Sequence, residues 1–227
     1  MDESRREAHG LAVLTFEKLT LEPVSDPGDE TTRTRKTYDV IAPRFLARTS
    51  DRKPMQWALG DFASRLAPGA LVLDIGAGPG TDSAELRKHG LRAVSVDLSL
   101  GMLAAGRELL PGPRVQADMR RLPFGPVADG IWSNASLLHL RRAQVPVALR
   151  EFAGVLRRPG LLYVSVKHGL NEGWEEERYG PGHPRFFTYW EAEPFDAALR
   201  EAGFGIETSQ LVTGTRDSWL QRVARLG

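Results

Sequence analysis

The sequence contains no cysteine, which removes disulfide frameworks, cysteine-ligated zinc, iron–sulfur clusters and thiol nucleophiles together. That absence fits a reducing compartment, so a cytoplasmic protein is expected. No stretch approaches ~18 uninterrupted apolar residues, and the opening MDESRREAHG, acidic and basic together, has no apolar h-region behind it, so neither a signal peptide nor a membrane span is expected. Charge of one sign is also missing. Thirty Lys plus Arg stand against 29 Asp plus Glu for a formal net charge of +1, too weak a field to draw in a nucleic-acid backbone or an anionic membrane. What is present is ordinary for a globular domain, with or without a small appendage: 41% hydrophobic and 26% charged residues over 227 positions.

The first 35 residues read as an N-terminal arm, either disordered or a lid. Leu11, Val13, Leu14, Phe16 and Leu19 offer one apolar face, and Glu22 to Thr34 (EPVSDPGDETTRT) reads as a linker. Met55 to Leu66 has the spacing of an amphipathic helix stopped by Pro68-Gly69. From Leu71 strands and helices alternate. Leu71–Ile75, Arg92–Asp97, Arg114–Ala117, Val127–Ser133 and Leu161–Val166 are strand-like. Thr81–His89, Ser99–Leu110 and Ala143–Leu156 are helical. This alternation predicts a doubly wound α/β domain with a mostly parallel sheet and a site at the carboxyl ends of its strands. A helix at Glu193–Ala202 and strands near Phe204–Gln210 and Trp219–Ala224 follow. The link between these last two strands is too short for a crossover helix, so they should pair antiparallel.

The sharpest motif is the run from Val72 to Gly80, VLDIGAGPG. Glycines directly after a buried strand permit a tight turn and a close ligand approach, and the next helix presents free N–H donors. A nucleotide-like ligand is implied. Thr81 stands where the dinucleotide fingerprint needs its third glycine, and no P-loop lysine is present. Asp74 would repel a pyrophosphate but attract an ammonium or sulfonium group.

Strand one ending LDIGAGPG, strand two ending VDLS, and the segment QADMRRLPF together resemble the successive motifs of class I S-adenosylmethionine-dependent methyltransferases, over roughly residues 36–227. The resemblance implies a seven-stranded Rossmann-like sheet with a C-terminal antiparallel pair, and S-adenosylmethionine as cofactor. It places Gly76, Ala77, Gly78 and Gly80 along the methionine and ribose, with Asp74 at the amino end. Asp97, 17 residues beyond Gly80, would accept the ribose hydroxyls. Leu98 and Met102 would pack on the adenine, and Asp118 with Met119 would read its edge. Tyr38, in a YDxxA segment that in relatives folds over the methionine, is a lid candidate. Asn134 lies in the turn after strand four that faces the methyl group.

In that turn His139 is the candidate base, its ordinary pKa suiting proton removal near neutrality. The histidines show no ligand spacing with carboxylates, so no metal site is expected. After strand five comes an aromatic insert, residues 169–190. There Lys167, Trp174, Arg178, Tyr179, Arg185, Phe186, Tyr189 and Trp190 are the candidate substrate-binding residues, for a planar or carboxylate-bearing molecule. The expected function is methyl transfer to an O or N atom of a small molecule, in bacterial natural-product biosynthesis. Two alternatives carry the same cofactor motifs: a methyltransferase of a modified transfer-RNA base, and a non-catalytic S-adenosylmethionine-binding protein. Neither the acceptor nor the oligomeric state is legible from the sequence.

Overall fold

The computed structural model describes residues 29–49 and 55–227. Expectations for residues 1–28, including the apolar face from Leu11 to Leu19, lie outside the described residues. Seven strands form one sheet: β1 (Leu71–Ile75), β2 (Arg92–Asp97), β3 (Arg114–Gln116), β4 (Ala128–Asn134), β5 (Leu156–Lys167), β8 (Phe204–Thr213) and β9 (Ser218–Leu226). Their order is β3-β2-β1-β4-β5-β9-β8. The first five run parallel, and β9 is antiparallel to both β5 and β8. This is the doubly wound sheet with a C-terminal antiparallel pair that the alternation predicts.

Side chains on one strand alternate between two cores, which is what covers both faces of the sheet. Val72, Trp132, Leu161 and Tyr163 pack with Leu59 and Phe62 of α2 (Gln56–Ser64) and Leu86 of α3 (Thr81–Lys88). Leu73, Ile75, Ile131, Leu162, Val164 and Val166 face the opposite layer. That layer is built from α5 (Val145–Val155) and α6 (Ala192–Glu201). In α5 the buried residues Val145, Ala148, Leu149 and Phe152 recur at helical spacing. Each large one stabilises the fold by roughly 1.5–3 kcal/mol relative to exposure.

Three elements depart from the sequence reading. The helix α4 spans only Leu100–Ala105, because Gly106 closes it where a Cβ would overlap the Pro79 carbonyl oxygen. The strand β5 begins at Leu156, ahead of Pro159-Gly160. Most consequential is α1, Glu30–Thr49, which starts inside the stretch read as linker. Its buried residues include Thr31, Thr32, Thr34 and Thr37, and the hydroxyls of Thr34 and Thr37 anchor it. Thr37 donates to the Pro184 carbonyl at 2.7 Å, and Thr34 accepts from the Phe186 N–H at 2.9 Å. These bonds hold α1 to β7 (Arg185–Thr188), which pairs with β6 (Glu172–Glu175) in a separate hairpin.

Candidate active site

Gly76, Gly78 and Gly80 all adopt positive φ, at 76°, 56° and 91°. A Cβ at Gly76 would also overlap that of Ser136, so the glycine is required twice, by conformation and by the approach of the turn after β4. The loop is fastened to β2: Gly76 and Ala77 donate to the Val96 carbonyl, and Gly78 N–H donates to Asp97 Oδ2 at 2.7 Å. The other oxygen of Asp97 accepts from Ser99 N–H at 2.8 Å. Burial raises the Asp97 pKa to about 6, against the lowering effect of these two backbone bonds. Among the described residues no cation pairs with it.

The α1 helix lies over this loop. Asp39 accepts from Ser99 Oγ at 2.6 Å and from Gly101 N–H at 2.9 Å, and Arg35 pairs with its second oxygen. Phe45 approaches Gly78, and Ile41 and Ala42 pack with Met102. Leu98 is half-buried at the end of β2, and Met119 packs against the main core.

Two acidic residues are spoken for. Asp74, only 2% exposed, accepts from Ser83 Oγ at 2.6 Å beneath α3, so it has no open side toward the loop. Asp118 is gripped by Arg120, whose backbone N–H, Nε and Nη2 reach both of its oxygens at 2.7–3.2 Å. Asn134 is tied as well: its Nδ2 donates to Asp82, and its Oδ1 accepts from Ser165. Trp132 Nε1 donates to the same Asp82 oxygen, a connection no sequence motif signals.

His139 sits in a 3-10 turn, Leu137–His139, just past β4. Its Nδ1 is 2.7 Å from the Phe186 carbonyl, which can only accept, so Nδ1 carries the proton. Nε2 therefore receives the Tyr38 hydroxyl proton, at 2.8 Å. Both nitrogens are committed. Burial lowers the His139 pKa to about 3, aided by the charges of Arg185 and Lys167. A ring so placed orients Tyr38 and has no lone pair turned to a substrate.

The insert divides by strand alternation. Arg185 and Phe187 share one face of β7 and meet Tyr38, Tyr179 and His139: the Arg185 guanidinium lies 4.9, 5.0 and 5.8 Å from the Phe187, Tyr179 and Tyr38 ring centres, and His139 is 4.8 Å from Phe187. Phe45 stacks on Tyr179. Neither Phe45 nor Phe187 is among the residues the sequence assigns to a site, though position 187 follows from the period of two once Arg185 is placed.

Phe186 turns the other way, edge-on to Trp174, which is exposed under the Arg33 guanidinium. Trp190 belongs to the core beside Phe195, and Arg178 is exposed. Lys167 reaches Glu175 at 3.1 Å, Asp217 at 3.3 Å and Tyr189 Oη at 2.8 Å. Burial alone would lower its pKa, but these partners reverse the effect and raise it. Trp174, Trp190, Arg178 and Tyr189 thus lie outside the ring cluster that borders the glycine loop, whereas the Lys167 ammonium reaches its edge, 4.2 Å from the Phe187 ring centre.

Residues 73–164 match the family model of a methyltransferase domain. Demethylmenaquinone methyltransferase of Mycobacterium tuberculosis (strain ATCC 25618 / H37Rv) is 43% identical over 103 residues, covering 45% of this chain and 43% of that protein. The chain spans about half the length of the curated relatives it matches, or less. The 1,6-didemethyltoxoflavin-N1-methyltransferase of Burkholderia thailandensis, with bound 1,6-didemethyltoxoflavin and S-adenosylhomocysteine, aligns with a TM-score of 0.71 at 23% identity, over 90% of this chain and 92% of that one. Magnesium protoporphyrin IX methyltransferase from Synechocystis PCC 6803, with bound S-adenosylhomocysteine, aligns with a TM-score of 0.68 at 16% identity, over 88% and 100%. The two structures share this fold.

Proposed function

We propose, from the premise that this chain carries a class I S-adenosylmethionine-dependent methyltransferase domain, that it transfers a methyl group from S-adenosylmethionine to an O or N atom of a small molecule. The observation that carries the reading is the Asp97 carboxylate. It is half-buried, lacks a cation among the described residues, and is held beside the glycine loop by two backbone N–H groups. A desolvated carboxylate without a counter-ion fits a pair of neutral ribose hydroxyls and opposes a pyrophosphate.

The bound cofactor supplies a methyl group already activated by a positive sulfur. The chain's task is alignment. Gly76, Ala77, Gly78 and Gly80 hold the methionine and ribose side, Asp97 accepts the ribose hydroxyls, and Leu98 and Met102 flank the base. Tyr38 closes the cleft from α1 with its hydroxyl fixed by His139. The Asp118 carboxylate, held by Arg120, shapes the cleft's wall, and Asp74, held by Ser83, braces the glycine loop from beneath α3. Acceptor specificity belongs to the ring cluster of Tyr38, Phe45, Tyr179 and Phe187 around Arg185.

Calorimetry with S-adenosylhomocysteine and with NAD tests the cofactor: binding of NAD with none of the homocysteine derivative overturns the reading. Incubation with S-adenosylmethionine and a panel of small-molecule extracts, followed by mass spectrometry, should return a product heavier by one methyl substitution. Binding without any such product across the panel would favour a non-catalytic role.

A further inference from the structure

Arg185 is a buried cation with nothing negative against it among the described residues. Its exposure is 5%, and among the described residues no carboxylate lies within ion-pair distance. Among the described residues its one polar contact is a long bond, 3.4 Å from Nη1 to Tyr38 Oη, and Nε has no partner. The natural counter-ion is Glu175, directly opposite on β6, where cross-strand pairs share a face. Glu175 instead engages Lys167 and Tyr189. The Tyr179 hydroxyl is also buried without a partner, on the ring nearest the guanidinium but one. Arg44 and Arg48 also lie over Tyr179, at 5.9 and 5.6 Å, so α1 adds positive charge there. Buried ions are normally paired and buried donors normally bonded. Two unmatched donors set against one cluster of rings mark a place for an acceptor atom that arrives from outside.

We propose that Arg185 and the Tyr179 hydroxyl bind an oxyanion of the methyl acceptor, which is therefore a flat, conjugated small molecule bearing a carboxylate, phenolate or enolate oxygen. This rests on the methyltransferase reading and narrows it. The planar guanidinium fork matches such an oxygen or oxygen pair, and the flat faces of Tyr38, Tyr179 and Phe187 suit a ring. An acceptor already ionised also accounts for the commitment of both His139 nitrogens. Its lone pair forms the bond to the methyl carbon, the carbon–sulfur bond breaks with its electrons going to sulfur, and no proton is left to remove.

The test compares 2-naphthoate with its neutral isostere 2-naphthamide, titrated calorimetrically into the protein saturated with S-adenosylhomocysteine. The carboxylate should bind at least tenfold more tightly than the amide. Arg185→Met should abolish that preference, keep S-adenosylhomocysteine affinity within threefold, and melt at a temperature no lower than the unligated parent, because it removes an unpaired buried charge. Arg185→Lys should retain part of the preference. Equal binding of the two probes, no binding of the carboxylate, or a destabilised Arg185→Met that keeps the preference would overturn the proposal while leaving the cofactor reading intact. Failure of the parent protein to bind S-adenosylhomocysteine would overturn both.

Discussion

Lowering the pH should weaken the cofactor product's grip through Asp97 alone. The carboxyl has a pKa of about 6 in the folded protein, raised chiefly by burial. Ribose hydroxyls donate hydrogen bonds, and an ionised oxygen accepts them about twice as strongly as a neutral one. If the ionised form does the binding, the apparent dissociation constant scales as one plus the ratio of protonated to ionised carboxyl. Between pH 7 and pH 5 that factor grows about tenfold, close to 1.4 kcal/mol. The assay is calorimetric titration of S-adenosylhomocysteine at half-unit pH steps, with Asp97→Asn as control. The parent should lose affinity below pH 6 with a slope approaching one decade per unit, and Asp97→Asn should be weaker at pH 7 and flat. A parent curve flat from pH 7 to 5 would refute the reasoning, since the ribose is then held elsewhere or the carboxyl stays ionised. The sign for folding runs the other way. A raised carboxyl pKa means the native state binds more protons than the unfolded one between roughly pH 4 and 6, so this group stabilises the unligated protein at low pH and loses that contribution as the pH rises through 6.

Three further outcomes are expected. His139, with its pKa held down to about 3, stays neutral when the unfolded chain takes up a proton, so its stabilising contribution is present above about pH 6.5 and drains away as the pH falls; thermal melts from pH 7 to 4 should fall more steeply for the parent than for His139→Asn. Gly76→Ala should cost more than about 2 kcal/mol in urea unfolding or abolish S-adenosylhomocysteine binding, given the overlap with Ser136 and the positive φ; normal stability together with normal binding would contradict the geometry. Lys167→Met strands Glu175 and Asp217 and should destabilise by about 1.5–3 kcal/mol, as loss of hydrogen bonds to charged groups does; a neutral effect would show that the network contributes nothing.

The sheet was legible because its central strands, such as Leu71–Ile75 and Arg92–Asp97, are short apolar runs that alternate with helical stretches, and the seven-stranded order agrees with that alternation. The α1 helix was not, and the reason is chemical. Among the positions it buries, Thr34 and Thr37 are threonines, which a hydropathy pattern scores as polar, while their value lies in hydroxyls that bond to backbone 147 to 152 residues away. The aromatic insert was legible as a cluster but not as a geometry. Nothing local reveals that Asp217 turns back to neutralise Lys167, or that Arg120 folds onto Asp118 two residues before it. Arg185 differs from the other candidate cations in what it lacks, and a missing partner has no signature in a sequence.

The attachments of α1 reach both halves of the cleft. Asp39 ties it to Ser99 and Gly101 on the nucleoside side, and Thr34 and Thr37 tie it to the β7 hairpin beside Arg185. On the proposed function this helix borders both ligands, so a ligand that tightens one set of attachments would tighten the other, and each would be felt in its neighbour's affinity equally in both directions. Were the helix to swing, spent donor and finished product would leave together, and its rate of opening would cap turnover however fast the transfer itself.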